Sequence, residues 1–507
     1  EDSIDNFILA SNMYNVSVIE SKDYDRNNWE INGLKTNITY KLMLATLENL
    51  QNDNSRLTKI EKLFNGSLDN ISSSNFQYIH LNDSQNKAIN RTINSLNYHI
   101  IQGPPGTGKT ETIAHIAKVL VGAGKKIFIT APTHTAINNC LNTISKIVQD
   151  KSKIVKIGEK YQALEILENK FITHKTRLPK ESYIQDPDLR KDGIIIGGTP
   201  FCLCYPASKR LNNWEFDVAL IDEAAQMSIP LAVSVMSKTD KFIFVGDHKQ
   251  LDPIIPSGTG ISMFSESIFS RLVRLYPNDK SLLNISYRLN NKLIRIPNHL
   301  FYDNSLTFGR SSVGDIEFIK SENYHEVLNN NDPSVLYLHK VFDAKGRSPH
   351  EAEIVAELVD DLISNGVRTK DIAILTPYRA QVREIEVAIN IKCSNIDIED
   401  GESCFVDTVD RMQGQERDYV IYSMANSHPL ESKRRLDFFY SPNRLNVAIT
   451  RAVKRCIVIA NYKVFDIIDE ELIELSDFEK LKPSLDIFKK YFKLSTKIKE
   501  EVQEDNW

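Results

Sequence analysis

Eight consecutive residues, Gly103, Pro104, Pro105, Gly106, Thr107, Gly108, Lys109 and Thr110, set glycines ahead of a lysine and a hydroxyl. The pattern is G-x-x-x-x-G-K-[ST], a phosphate-binding loop. Its glycines let backbone N–H groups close around a phosphate chain. Lys109 is suited to the β- and γ-phosphates, and the Thr110 hydroxyl to Mg²⁺, so the ligands expected are ATP and magnesium. An acidic pair follows at Asp222 and Glu223, directly after the apolar run 216–221. Asp222 fits a role on Mg²⁺, and Glu223 fits the orientation or deprotonation of an attacking water. Gln250 carries an amide that can sense the γ-phosphate. Arg288 and Arg451 could offset transition-state charge. Alone, each arginine would be an ordinary surface residue; together with the loop and the acids they describe ATP hydrolysis.

These residues need elements to hold them. Residues 98–102 (Tyr-His-Ile-Ile-Gln) read as a buried strand entering the loop, and 110–121 as the helix leaving it, which sets the phosphate at a helix N-terminus. Further apolar runs at 126–131, 193–197, 216–221 and 242–245 make one series of strands. A second series lies at 371–376, 419–423 and 456–460. Continuous β-branched runs separated by helical stretches predict parallel sheets buried on both faces, hence two α/β domains. The join is expected near 275–283, and 329–333 reads as a loop. Residues 36–65 read as one long helix with the stripe Tyr40, Met43, Leu44, Leu47 and Leu50. The Lys-rich stretch 481–502 reads as an amphipathic helix, either packed on the core or binding a partner.

The 507 residues allow about three or four domains. A net charge of −5 argues against coating nucleic acid by bulk charge, yet leaves room for a local basic path. No run is long and apolar enough for a membrane helix, and no signal-type segment is read, so a cytoplasmic setting without membrane partners is expected. Six cysteines are scattered without a C-x-x-C pair, which disfavours zinc and iron–sulfur sites. The chain starts at Glu1 and reads as a fragment.

In order, the motifs resemble those of superfamily 1 helicases, closest to the Upf-like subgroup that moves 5′→3′. The resemblance spans residues 36–465. Leu81-Asn82-Asp83-Ser84-Gln85 resembles the motif whose glutamine reads adenine. Ala131-Pro132-Thr133 and Gly197-Gly198-Thr199 resemble strand-binding motifs, and Asp222-Glu223-Ala224-Ala225-Gln226 has the superfamily 1 form of the acidic box. Tyr287-Arg288 resembles the pair that stacks on adenine and touches the γ-phosphate. Thr376-Pro377-Tyr378 resembles a second-domain strand contact. Thr408 and Glu416 lie in a stretch similar to motif V, which implies nucleic-acid contact for Thr408 and ribose contact for Glu416. Arg444 to Ala452 is similar to motif VI, with Arg451 as its finger.

The resemblance implies two tandem RecA-like parallel-sheet motor domains with a short N-terminal stalk and accessory region. The expected divisions are a barrel-like segment 1–35, stalk 36–75, first motor domain 76–280 with an insertion at 151–192, second motor domain 281–470 and helical tail 471–507. It implies an ATP-dependent helicase or translocase on single-stranded nucleic acid, with DNA favoured over RNA. The alternatives are an RNA helicase, or an ATPase that remodels nucleoprotein without unwinding. The strand contacts implied are Thr133, Thr199, Thr376, Tyr378 and Thr408. The four threonines all follow strand-like runs, and hydroxyls there can bond phosphates without reading bases. Lys433-Arg434-Arg435 reads as a solvated loop. A nuclease or other effector outside this chain is a further expected partner. The sequence departs from the family at Ser286, where glutamine is common, which weakens one expected polar contact but leaves Tyr287 and Arg288 in place.

Overall fold

The computed structural model describes residues 46, 48–70, 76–150, 153–163, 172–175, 193–204, 211, 214–253, 266–309, 318–393, 403–427, 436–466 and 478–500. The accessory segment 1–35, the stripe residues Tyr40, Met43, Leu44 and Leu47, most of the insertion and Lys433-Arg434-Arg435 lie outside the described residues. By contacts the chain forms two compact units. The first holds 1–104, 108–248 and 252–283; the second holds 105–107, 249–251 and 284–507.

In the first unit, the reading of 36–65 as one long helix needs correction. The helix is broken at Asn52 and Asp53, and a new helix α1 (Asn54–Phe64) starts there. Asp53 caps it, taking the Arg56 amide at 3.1 Å, because a short carboxylate competes well for free N–H groups at a helix start. Helix α2 (Asp83–Asn94) is capped in the same way by Asn82. The strands are β1 (Tyr98–Gln102), β2 (Lys126–Thr130), β3 (Ile154–Ile157), β4 (Thr173–Lys175), β5 (Ile194–Gly197), β6 (Phe216–Ile221), β7 (Thr239–Gly246) and β8 (Lys280–Leu282). They form one parallel sheet in the order β4-β3-β5-β2-β6-β7-β1-β8. Alternate residues feed two cores: Ile100, Phe128 and Ile221 join one, and Ile101, Ile129 and Leu220 the other. Both faces are therefore covered, which is why the strands read as continuous apolar runs. Helix α3 (Lys109–Gly122) follows β1, and α4 (His134–Ile147) follows β2.

In the second unit, β9 (Ile285–Ser286) pairs with β10 (Thr307–Phe308). The main sheet is β11 (Ser334–His339), β12 (Ile372–Thr376), β13 (Phe405–Thr408), β14 (Arg417–Ser423), β15 (Ala452–Asn461) and β16 (Thr496–Lys499). Its order is β13-β12-β14-β15-β11-β16, again all parallel. Alternation repeats: Leu375, Val420 and Val458 enter one core, Ile374, Ile421 and Ile457 the other. Helices α5 (Pro349–Ser364), α6 (Arg379–Lys392) and α7 (Pro442–Ile449) connect these strands. Both sheets are wholly parallel and covered on both faces, as expected for two α/β domains. The loop 329–333 is pinned by buried Arg455, which donates to the Asn330 and Asp332 carbonyls at 2.8 and 3.3 Å.

The tail differs from the single helix expected. Helix α8 (Phe478–Leu494) buries Leu481, Leu485, Phe488 and Tyr491 in the second core, as the core-packing alternative required. The chain then becomes an edge strand, β16, paired with β11. Thr-Lys-Ile-Lys alternates with a period of two, so one face can be buried and the other left in water.

Candidate active site and nucleic-acid edge

A parallel sheet sets all strand C-termini on one edge, where the phosphate loop begins. The Gly103 amide donates to the Gly246 carbonyl at 2.9 Å, which ties the loop's first residue to the end of β7. Gly106 and Gly108 have φ of 72° and 78°, the left-handed region. A Cβ on Gly108 would stand 2.5 Å from the Gln85 amide nitrogen. The glutamine expected to read adenine is thus packed directly on the loop, buried, with its amide oxygen held by Asn82 Nδ2 at 2.7 Å. Lys109 opens α3, and its Nζ donates to the Gly103 carbonyl at 2.9 Å. Thr110 follows in the first turn.

Asp222 leaves β6 with its amide on the Thr130 carbonyl of the neighbouring strand at 2.8 Å. Its carboxyl is buried and accepts the Glu223 amide at 2.9 Å. Burial first, and then the Glu223 carboxylate, raise its pKa well above the ordinary carboxylate range; Lys109 pulls it back in part. Beside Asp222 the Thr130 hydroxyl is buried without a partner among the described residues. A buried carboxylate oxygen such as that of Asp222 suits Mg²⁺, a hard cation. Glu223 has φ 50° and ψ 38°, a conformation that non-glycine residues seldom adopt outside functional turns. Gln226 Nε2 lies 3.4 Å from its carboxylate. No motif signals this backbone strain.

The remaining nucleotide residues lie in the second unit. Arg451 is buried, and its Nη2 donates to Gln250 Oε1 at 2.7 Å. Its Nε donates to the Val447 carbonyl at 3.1 Å. Arg288 Nε meets Glu416 Oε2 at 2.5 Å, and Nη1 reaches the Thr450 carbonyl at 3.3 Å. Glu416, expected on the ribose, pairs with this arginine, a long-range contact that the motif spacing cannot reveal. The Tyr287 amide donates to the Gly106 carbonyl at 2.8 Å. The Tyr287 ring, 37 % exposed, lies against Gly309, where a Cβ would come within 2.7 Å of it. Pro105 and Thr107 complete the loop tip, and Pro104 precedes it.

Ser286 makes a contact that the sequence reading did not foresee. Its Oγ donates to the Pro105 carbonyl at 2.9 Å and accepts the Leu289 amide at 3.3 Å, so the shorter side chain makes its own polar contact with the loop. Asn446 was also missed: its Nδ2 donates to the Lys249 carbonyl at 2.7 Å and to the Tyr302 hydroxyl at 2.8 Å. It holds the backbone next to Gln250. Its place within motif VI was the available signal.

The expected strand contacts divide by exposure. Thr133 is exposed and caps α4, accepting the Ala136 amide at 3.3 Å. Thr408 is half-buried and stands in register with Thr376 on adjacent strands. Thr376 and Thr199 are buried. Thr376 Oγ1 accepts the Tyr378 amide at 3.4 Å, and Thr199 Oγ1 lies 3.9 Å from Cys202 Sγ. The Tyr378 ring is half-buried and parallel to Phe439 at 6.4 Å.

A family model described as an AAA domain matches residues 80–186 and 201–258, and a second, also described as an AAA domain, matches 264–463. The chain belongs to the superfamily 1, Upf-like helicase family. It is similar to a DNA replication ATP-dependent helicase/nuclease of Arabidopsis thaliana, 29% identical over 76% of this chain and 28% of that protein. The protein of that description from Saccharomyces cerevisiae is 27% identical, over 75% and 26%. An uncharacterized ATP-dependent helicase of Methanocaldococcus jannaschii is 29% identical, over 75% and 68%. The chain thus spans about a quarter of the length of the first two. The matched stretches contain the motifs of this Upf-like helicase from Gln85 to Arg451 except Gly197-Gly198-Thr199, which lies between two of them. Among the described residues no helix is long and apolar enough to cross a membrane.

Proposed function

We propose that this chain is the motor of an ATP-dependent helicase that moves 5′→3′ along a single strand, acting on DNA. The motor domains assigned are 76–280 and 281–470. The observation that carries the reading is the acid pair: a buried Asp222 and a left-handed Glu223 at the end of β6, in the sheet whose β1 feeds the phosphate loop. The names of the Arabidopsis and yeast relatives, which speak of DNA replication, favour DNA.

In this mechanism the loop amides and Lys109 take the phosphates of ATP, and Lys109 exchanges the Gly103 carbonyl for them. Gln85 and Tyr287 hold the adenine, and Glu416 remains assigned to the ribose. Thr110 and Asp222 would hold Mg²⁺, which supplies charge neutralisation at the β- and γ-oxygens. Glu223 orients the attacking water and takes its proton. Gln250 positions that water, while Arg288 and Arg451 offset charge on the departing phosphoryl group. Thr133, Thr199, Thr376, Tyr378 and Thr408 are the proposed strand contacts, with backbone amides serving where hydroxyls are buried.

The test is ATP turnover without polymer, with single-stranded DNA and with single-stranded RNA, at matched low salt. It is followed by strand displacement on duplexes with 5′ or 3′ tails. Stimulation by DNA and displacement from a 5′ tail are expected. Stimulation by RNA alone would replace the substrate, and indifference to both polymers would overturn the motor reading.

A further inference from the structure

Beyond β11 the chain runs along the C-terminal edge of the second sheet as residues 340–346. It exposes two large apolar side chains there, Val341 at 37 % and Phe342 at 49 %. The backbone that presents them is fixed. The Val341 carbonyl accepts Asn461 Nδ2 at 2.8 Å and Ser427 Oγ at 3.2 Å, and the Val341 amide donates to His339 Nδ1 at 3.2 Å. The Gly346 amide donates to the Ala425 carbonyl at 2.9 Å. Beneath this loop, the buried Glu351 carboxylate accepts Ser423 Oγ at 2.7 Å and the Ala425 amide at 2.9 Å. A half-exposed aromatic ring on so firmly held a backbone offers a fixed apolar surface to a ligand.

The chemistry around the ring indicates which partner. Phe342 stands edge-on to Tyr462, with centroids 5.9 Å apart and planes at 82°. Lys340 Nζ and Lys463 Nζ lie 5.9 and 5.4 Å from the Tyr462 ring centre, and Lys463 also pairs with Asp466 at 3.1 Å. Aromatic faces beside ammonium groups suit a flat base attached to a phosphate. The loop also leads to the expected strand path. Gly346, with φ 88°, lies under the Tyr378 ring, where a Cβ would be 3.5 Å from the ring atoms. Tyr378 comes two residues after Thr376, on the same sheet edge.

We propose that Phe342, backed by Tyr462 and flanked by Lys340, is a base-stacking platform for a single-stranded polynucleotide, extending the Thr376–Tyr378 contact across the edge of the second sheet. The platform rests on the reading of the chain as a single-strand motor. Stacking tolerates any base, as a motor on arbitrary sequence requires.

The test is equilibrium binding of the whole chain to oligothymidylate and to an abasic oligomer of equal length, for wild type, Phe342→Ala, Phe342→Trp and Lys340→Ala. Phe342→Ala should weaken oligothymidylate binding about five- to 150-fold, the range expected for one stacked base, and leave abasic binding unchanged. Phe342→Trp should restore it, and Lys340→Ala should weaken both oligomers alike. A Phe342→Ala protein with wild-type thermal midpoint and wild-type oligothymidylate affinity would overturn the platform alone. Equal losses on both oligomers would also overturn it. Wild-type protein that binds neither oligothymidylate nor oligouridylate would instead remove the single-strand reading beneath it.

Discussion

Glu223 bears the clearest backbone mark of chemistry, because its left-handed conformation costs about 1–3 kcal/mol that the turn must recover elsewhere. Asp222 is buried and Glu223 only partly so, which suits the two acids to separate tasks. Glu223→Gln keeps the shape and removes the base, so ATP binding should persist while turnover falls by about 10²–10⁴-fold. Near-normal turnover in a steady-state phosphate assay would refute the assignment. Lys109→Ala should lose turnover as well. Arg451 presents a different case, since its guanidinium holds Gln250 through the 2.7 Å bond. Arg451→Ala should therefore retain nucleotide binding and lose hydrolysis, and equal loss of both would deny it a finger's role. At Gly309, an added methyl would displace the Tyr287 ring. Gly309→Ala should raise KM for ATP several-fold with little change in kcat; an unchanged KM would remove Tyr287 from adenine recognition.

At the scale of elements, β1 buries a titrating group in the first sheet, beside the edge strand β8. His99 is buried, its Nε2 2.9 Å from Ser281 Oγ on β8. Burial, then the charges of Arg91 and Lys241, push its pKa down to about 3. The folded chain keeps the ring neutral, while the unfolded chain protonates it near its ordinary value. Between those values the unfolded state binds more protons, so stability is full above about pH 6.5 and drains as pH falls. Denaturant midpoints should show this group contributing up to about 1.4 kcal/mol per pH unit, and His99→Gln should flatten the slope. Matching slopes in both proteins would exclude His99 as the source. The strands that sequence made legible, such as β1 and β12, are buried on both faces and read as unbroken apolar runs. β16 escaped because its alternating Thr-Lys-Ile-Lys sits among lysines that also satisfy a helical period. β11 is as apolar as its neighbours, yet it follows a polar turn and was passed over with it. The site residues were legible one at a time, from their motifs. Their pairings, Arg288 with Glu416 and Ser286 with Pro105, join positions far apart in sequence, and only the folded backbone brings them together.

For the whole molecule the governing number is charge: 62 basic against 67 acidic residues leave −5 on a chain that must hold a polyanion. Bulk attraction therefore cannot supply the affinity, and contacts must be few and local. Hydroxyls, backbone amides and aromatic faces release few counterions, so binding should depend only weakly on salt. With about two to four phosphates neutralised, the logarithm of affinity for single-stranded DNA should fall with that of salt at a slope of about −1.5 to −3. A slope near −7, meaning about ten neutralised phosphates, would reveal a long basic channel and contradict this account. The stacked contribution behaves differently, because a base on a ring displaces no condensed ion. Abasic substitution should thus lower affinity by a constant factor at every salt concentration, and parallel salt plots for normal and abasic strands would separate the two kinds of grip. The separation matters for a motor: phosphate contacts through hydroxyls and amides can release and re-form at each step, while one fixed ring gives the second unit a place to hold.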